Sequence, residues 1–202
     1  MPSAHRVAFG LRAHSGWAVL VALEGPALSP KVVDRRRLAL CDGSFPQQPY
    51  HAAENLSGPR AAVLVARAVE TAQRLGCEAV AAAVADWRRG EVSLAGAGLL
   101  LGSGRPLPEE LSAILAAHPL IHTAEGVLYR DVLRAACEKA GIPVSAFRER
   151  ELEATAERWL KLAASPLRAR LTALGKPLGP PWSQDEKLAA LAAWLVLAGA
   201  GA

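Results

Sequence analysis

Two short pairs of residues in this chain have the types and spacing for acid–base or metal chemistry, His51-Ala-Ala-Glu54 and His122-Thr-Ala-Glu125. A separation of three brings both side chains to one face of a helix, so each pair sets an imidazole beside a carboxylate. Such a pair either ligates a metal or forms a general base with its orienting partner. The plainer alternative is that each Glu favours the positive end of its own helix while the His lies on the surface. Nothing in the spacing brings the two pairs together. The basic run Arg35-Arg36-Arg37 and the pair Arg88-Arg89 read either as solvated edges or as phosphate contacts. Trp17 and Trp87 are the tryptophans placed for base stacking, whereas Trp159, Trp182 and Trp194 read as packing anchors.

The remaining chemistry is thinner. Gly96-Ala-Gly98 and Gly102-Ser-Gly104 lack both a Gly-Lys-Ser/Thr ending and the G-x-G-x-x-G spacing, so they read as connection rather than as a phosphate cradle. Cys41, Cys77 and Cys137 are an odd set without paired short spacing, which excludes a zinc knuckle and a disulfide framework and leaves free thiols. No cofactor is implied by any of these.

The elements that must position these residues follow from periodicity. Residues 7–11 and 17–23 are apolar, β-rich runs separated by a short polar turn with Gly16, and Lys31 to Leu40 reads as a third antiparallel strand. Residues 43–59 form a Pro-rich loop with one helical turn at Tyr50 to Glu54. Pro59 opens a helix through Leu75 that Gly76 closes, and Ala79 to Val84 is expected to cross over into a buried parallel strand ended by Asp86-Trp87-Arg88-Arg89. Gly90 to Pro108 reads as an irregular insertion. Helices are expected over Leu107–Ala117, broken by Pro119, and over Thr123–Ala140, followed by a strand through Ile142 to Phe147. Further helices span Arg148–Leu162 and Ser165–Leu174, and Ser183 with Glu186 forms a capping box on the last helix, whose buried face is Leu188, Leu191, Ala192 and Leu195.

Composition bounds the class. With 202 residues, 51% hydrophobic and 21% charged, the chain reads as a single domain over 1–202 that buries a sizeable core. No apolar run approaches the roughly 20 residues of a membrane helix, and the N-terminus lacks a basic-then-apolar leader, so a soluble, cytoplasmic protein without a membrane partner is expected. A net charge of +4 permits binding to phosphates without demanding it. The partner is open between nucleic acid and another protein.

Element order and one segment carry a family resemblance. Three antiparallel strands, a helix, a parallel strand, further helices, another strand and a terminal helix give an α/β fold of ribonuclease H-like order. Glu125-Gly126 through Gly141-Ile-Pro-Val144, with Phe147-Arg-Glu-Arg-Glu151-Leu and Asp185-Glu-Lys-Leu-Ala-Ala-Leu-Ala after it, resembles the RuvC-type branch of that superfamily. The resemblance implies a mixed five-stranded sheet with flanking helices. It also implies a cleft in which carboxylates from the first strand, the fourth strand and the last helix hold two Mg²⁺ or Mn²⁺ ions for phosphodiester hydrolysis. On this chain those positions fall at Arg12, near Ala83 or Asp86, and at Asp185 and Leu188. Only Asp185 is clearly retained. Arg12 is expected either to bind an anionic group or to pair with Asp185 or Asp86. By the same analogy Arg12, His14, His122, Glu125 and Arg130 lie nearest the rim of the sheet. The sequence therefore points to a catalytically inactive or altered ribonuclease H-like domain that serves binding or assembly. The alternatives are a metal-dependent hydrolase rebuilt from Asp86, His122, Glu125 and Asp185, or a nucleic-acid binder using the arginine runs.

Overall fold

Alternation of Val7, Phe9 and Leu11 puts three large side chains on one face of a strand, and in the computed structural model of the protein all three are buried in β1 (His5–His14). The structure describes residues 5–88, 92–102 and 106–200. Gly16, at φ +78°, turns β1 into β2 (Trp17–Glu24), and β3 (Lys31–Ala39) completes the antiparallel meander. β4 (Val92–Leu101) and β5 (Val144–Arg148) add in parallel on the other side of β1, giving the order β3-β2-β1-β4-β5. The result is the mixed five-stranded sheet with flanking helices that the sequence implied.

The helices are α1 (Pro49–Ala53), α2 (Gly58–Arg88), α3 (Leu111–Leu115), α4 (His118–Lys139), α5 (Leu152–Leu160), α6 (Ala164–Leu174) and α7 (Gln184–Leu197). α2 and α4 cover the face that carries Val7, Phe9 and Leu11. α5, α6 and α7 cover the face that carries Ala8, Val19 and Val21. α7 lies unusually close to the sheet: a Cβ on Gly98 would stand 2.6 Å from the Ala192 carbonyl oxygen, and one on Gly10 would overlap the Ala189 carbonyl. The capping box at Ser183 and Glu186 forms as expected, so the start of α7 is held at a defined place over the sheet. None of the helices is long and apolar enough to cross a membrane among the described residues.

Three expectations are corrected. α2 does not stop at Gly76 but runs to Arg88, and residues 79–84 are helical rather than a strand. Val80, Ala83 and Val84 are buried at helical spacing, and alanine is the strongest helix former, so an apolar run that resembled a strand is a helix stripe. Gly76 serves packing instead of capping: a Cβ there would lie 2.5 Å from Val132 Cγ1 of α4. The fourth strand is found where an irregular insertion was expected, at Val92–Leu101, with Ala97, Leu99 and Leu100 buried. Its glycines misled the reading because they admit α7 and, at Gly96 with φ +149°, a bulged register against β1. Finally, Pro119 does not break a helix but lies in the first turn of α4, where its missing N–H costs nothing, so α4 begins at His118.

Candidate functional site

Arg12 belongs to the face of β1 that meets α7, two residues beyond Gly10. Its guanidinium binds Glu149 bidentately, Nε to Oε2 at 3.1 Å and Nη2 to Oε1 at 3.0 Å, and Nη1 donates to Asp185 Oδ1. Glu149 directly follows β5, and Asp185 lies in the first turn of α7. Three elements therefore converge at the carboxyl ends of the parallel strands, where open α/β sheets bind ligands. Burial opposes the Arg12 charge, but the bonds and attraction from Glu149, then those from Asp185, outweigh it and raise the pKa.

His14 joins this network. Its Nε2 lies 2.8 Å from Arg12 Nη1 and 3.2 Å from Asp185 Oδ2, and its ring stacks on Trp17 at 4.1 Å. Nε2 accepts from Arg12 only when unprotonated and donates to Asp185 only when protonated. Burial lowers the His14 pKa despite the attraction of Asp185, which favours the neutral ring.

The two His-x-x-Glu pairs meet across α1 and α4, and a third histidine joins them. Glu125 Oε1 accepts from the backbone N–H of Tyr50 at 2.8 Å and of His51 at 3.1 Å, and lies 3.2 Å from His51 Nδ1. It thus satisfies the start of α1 rather than of its own helix. His118, which the sequence reading missed, lies one turn before His122 on α4, and their Nε2 atoms are 3.1 Å apart. His51 is edge-on to both, with ring centroids at 5.3 and 4.6 Å, and Glu54 Oε1 is 3.8 Å from His118 Nδ1. One nitrogen from each of the three rings falls within 4.8 Å of the others. Reading Pro119 as a breaker hid the i,i+4 spacing of His118 and His122. Beside them a cavity of about 210 Å³ is bounded by His14, His122, Glu125 and Tyr129, and buried Glu125 Oε2 has no hydrogen-bond partner among the described residues. Burial raises the Glu125 pKa against the lowering effect of its bonds from His51 and Tyr50.

The other expected residues scatter. Asp86 on α2 pairs with Arg36 at 3.0 Å, which also binds Asp34, so it serves β3 at the opposite edge of the sheet from Glu149. The set Asp86, His122, Glu125 and Asp185 therefore does not assemble; only His122 and Glu125 share a cavity. Arg130 lies over Gly102 and Gly126, whose missing side chains give it room, with no carboxylate in ion-pair range among the described residues; burial lowers its pKa. Arg35 braces the carbonyls of Gly179 and Pro181 before α7, and Arg37 lies 3.8 Å over Trp17, so the basic run is largely spent on internal contacts. The side chains of Arg88 and Arg89 lie outside the described residues. Trp182 and Trp194 donate to the carbonyls of Leu171 and Ala27 as packing anchors, but Trp159 is half exposed, which corrects its assignment. Trp87 packs against the sheet core with its indole N–H buried, and is not a stacking platform. The cysteines are free thiols, and burial pushes Cys137 up to about 12.

A second cavity, about 540 Å³, opens beside the Arg12 network between Gly102, Glu149 and Leu188, with Arg148 and Arg150 at its rim. Leu188 lies one turn after Asp185 on α7.

The sequence matches no family profile and no curated protein. Solved structures do match. Thermus thermophilus RuvC in complex with a Holliday junction substrate aligns at TM-score 0.51 and 14% identity over 97% of this chain and 98% of that one. A second Thermus thermophilus RuvC structure aligns at TM-score 0.51 and 15% identity over 94% and 92%. The likeness shows the fold, which is ribonuclease H-like.

Proposed function

We propose, from the fold shared with RuvC, that this chain is a nucleic-acid-binding ribonuclease H-like domain that does not cut its ligand by the two-metal route. The observation that carries the reading is the Arg12 guanidinium held by both Glu149 and Asp185. The divalent ions that the fold family implies need carboxylates facing one another across this cleft. Here the first-strand position supplies a cation, the end of β4 at Leu101-Gly102 supplies no acid, and Leu188 is apolar. The two acids that are present are committed to Arg12. A metal ion about 4 Å from that guanidinium is repelled by about 4 kcal/mol per unit of its charge at an effective dielectric of about 20. The residues do not fit the ions, and no cleavage step is assigned to them.

The same cleft suits phosphate. Arg148 and Arg150 are exposed at the rim of the cavity, where each has only a surface pair with Glu151, at 3.9 and 3.2 Å; exposed guanidiniums bind phosphate oxygens in a planar fork. The RuvC neighbour holds a four-way junction, which makes branched DNA the first ligand to try.

Purified protein with Mg²⁺ or Mn²⁺ is expected to bind a four-way junction without cutting it. Affinity should fall with salt, and the slope should shrink by about 0.9 for each phosphate contact removed in Arg148→Ala and Arg150→Ala. Metal-dependent cleavage that disappears in Asp185→Asn would overturn the inactive-cleft reading. Absence of salt-dependent binding to junction, duplex and RNA would remove nucleic acid and leave assembly with a protein.

A further inference from the structure

We propose that His51, His118 and His122 bind one divalent transition-metal ion of the zinc class through their Nε2 atoms, leaving a fourth position for an exogenous oxygen ligand. The site is separate from the Arg12 cleft and stands whether or not that cleft binds nucleic acid.

Ligand type and spacing agree with the assignment. Neutral imidazole is a ligand for zinc and its neighbours in the first transition row. Two imidazole nitrogens on a tetrahedral ion, each about 2.0–2.1 Å from it, sit roughly 3.4 Å apart. The Nε2 atoms of His118 and His122 are 3.1 Å apart, and one nitrogen of His51 completes a group whose members all lie within 4.8 Å. His118 and His122 are fixed by i,i+4 spacing on α4, and His51 is brought to them by α1.

The acids behind the rings strengthen the case. Metal-bound histidines pass their other nitrogen to a carboxylate, which selects the tautomer and orients the ring. Glu125 Oε1 stands 3.2 Å from His51 Nδ1 and is itself fixed by two backbone N–H groups, so the lone pair of His51 lies on Nε2. Glu54 Oε1 stands 3.8 Å from His118 Nδ1, close by but beyond hydrogen-bond distance. The two His-x-x-Glu pairs thus meet crosswise: Glu125 supports His51, and Glu54 lies near His118.

An independent observation points to a ligand beside the metal. His122 and Glu125 also line the 210 Å³ cavity, and Glu125 Oε2 is buried without a partner among the described residues. A buried carboxylate oxygen without a partner calls for a donor. Water, or a hydroxyl of a small ligand, entering from the adjoining cavity would supply one beside His122. With three histidines and one vacant position, the donor set has the composition of zinc sites that exchange their fourth ligand.

The test uses the full chain, purified without a histidine tag and stripped with EDTA. Calorimetric titration with Zn²⁺ should show one equivalent at micromolar affinity or better, and Co²⁺ should give a visible ligand-field band that Zn²⁺ abolishes. Zn²⁺ should raise the melting temperature. His118→Gln and His122→Gln change exposed side chains and should fold normally, weaken Zn²⁺ binding at least a hundredfold and remove the Co²⁺ band. Glu78→Gln, an exposed partner of Arg74 on α2 outside both sites, should bind as the native chain does. No stoichiometric binding, or binding that survives in the His118→Gln/His122→Gln double variant, overturns the proposal.

Discussion

The Arg12 cleft and the histidine cluster lie on either side of His14, and they handle charge in opposite ways. In the cleft, one guanidinium saturates two carboxylates, and neither is left to hold a cation. In the cluster, one nitrogen from each of three rings lies within 4.8 Å of the others, and a buried carboxylate oxygen has no partner among the described residues. The cleft sits where the sequence resemblance implied metal ligands but carries ion pairs. The cluster sits on helix ends that carry no such expectation, yet holds the better donor set. Position in a fold therefore does not decide chemistry; the residues at the position do.

The comparison breaks most visibly at the support of the cleft. Asp185 reaches Arg12 because α7 rests on Gly10 and Gly98 without intervening side chains. Gly98→Ala should cost about 3 kcal/mol, since carbonyl and backbone must move to admit a methyl. Urea unfolding measures it, and a cost under about 1 kcal/mol shows that close approach is not required.

Arg12→Asp sharpens the comparison by turning the cleft into a cluster of three acids. In EDTA the variant should lose about 2 kcal/mol, because charge-assisted bonds vanish and like charges face one another in a part-exposed site. Mn²⁺ should restore its melting temperature and leave that of the native chain unchanged. If Mn²⁺ stabilises both equally, the cleft was already a metal site.

The double variant His118→Gln/His122→Gln should change stability in EDTA by only about 0.5 kcal/mol, because both side chains are exposed. The Zn²⁺-dependent rise in melting temperature should disappear. Loss of stability without metal would make the cluster a structural hydrogen-bond group.

The smallest effect is the pH response of His14, which faces Arg12, Asp185 and Glu149. Burial lowers its folded pKa below the ordinary 6.5, so the unfolded chain binds the proton more readily. Its contribution to stability is full above that value and declines as pH falls below it. Unfolding at pH 7.5 and 5.5 should show a decline that is smaller in His14→Gln. An equal decline in both assigns the effect to other groups.

Much of the fold was legible because its signals are local. The hairpin at Gly16, the helical turn at Tyr50, the fifth strand and the capping box at Ser183 each follow from a few neighbouring residues. The fourth strand was not legible, since its glycines answer to α7 on the far side of the sheet and to no neighbour in sequence. The partnership of Arg12 and Asp185 was anticipated through family order. Glu149 was not, because a Glu in a charged stretch has no mark until β5 is placed beside β4.

By itself, then, the sequence determined the chemistry available: two His-x-x-Glu pairs, Arg12 near the end of the first strand, Asp185 at the start of the last helix, and a meander followed by alternating helices and strands. Tertiary structure decided which of these meet. Side-chain periodicity assigns a face, but not the residue from another element that will lie against it. Arg12 finds Glu149 and Asp185 only when three elements converge at one end of the sheet. The two pairs become one cluster only when Glu125 fastens α1 to α4, with His118 placed by a helix that starts one turn earlier than its proline suggested.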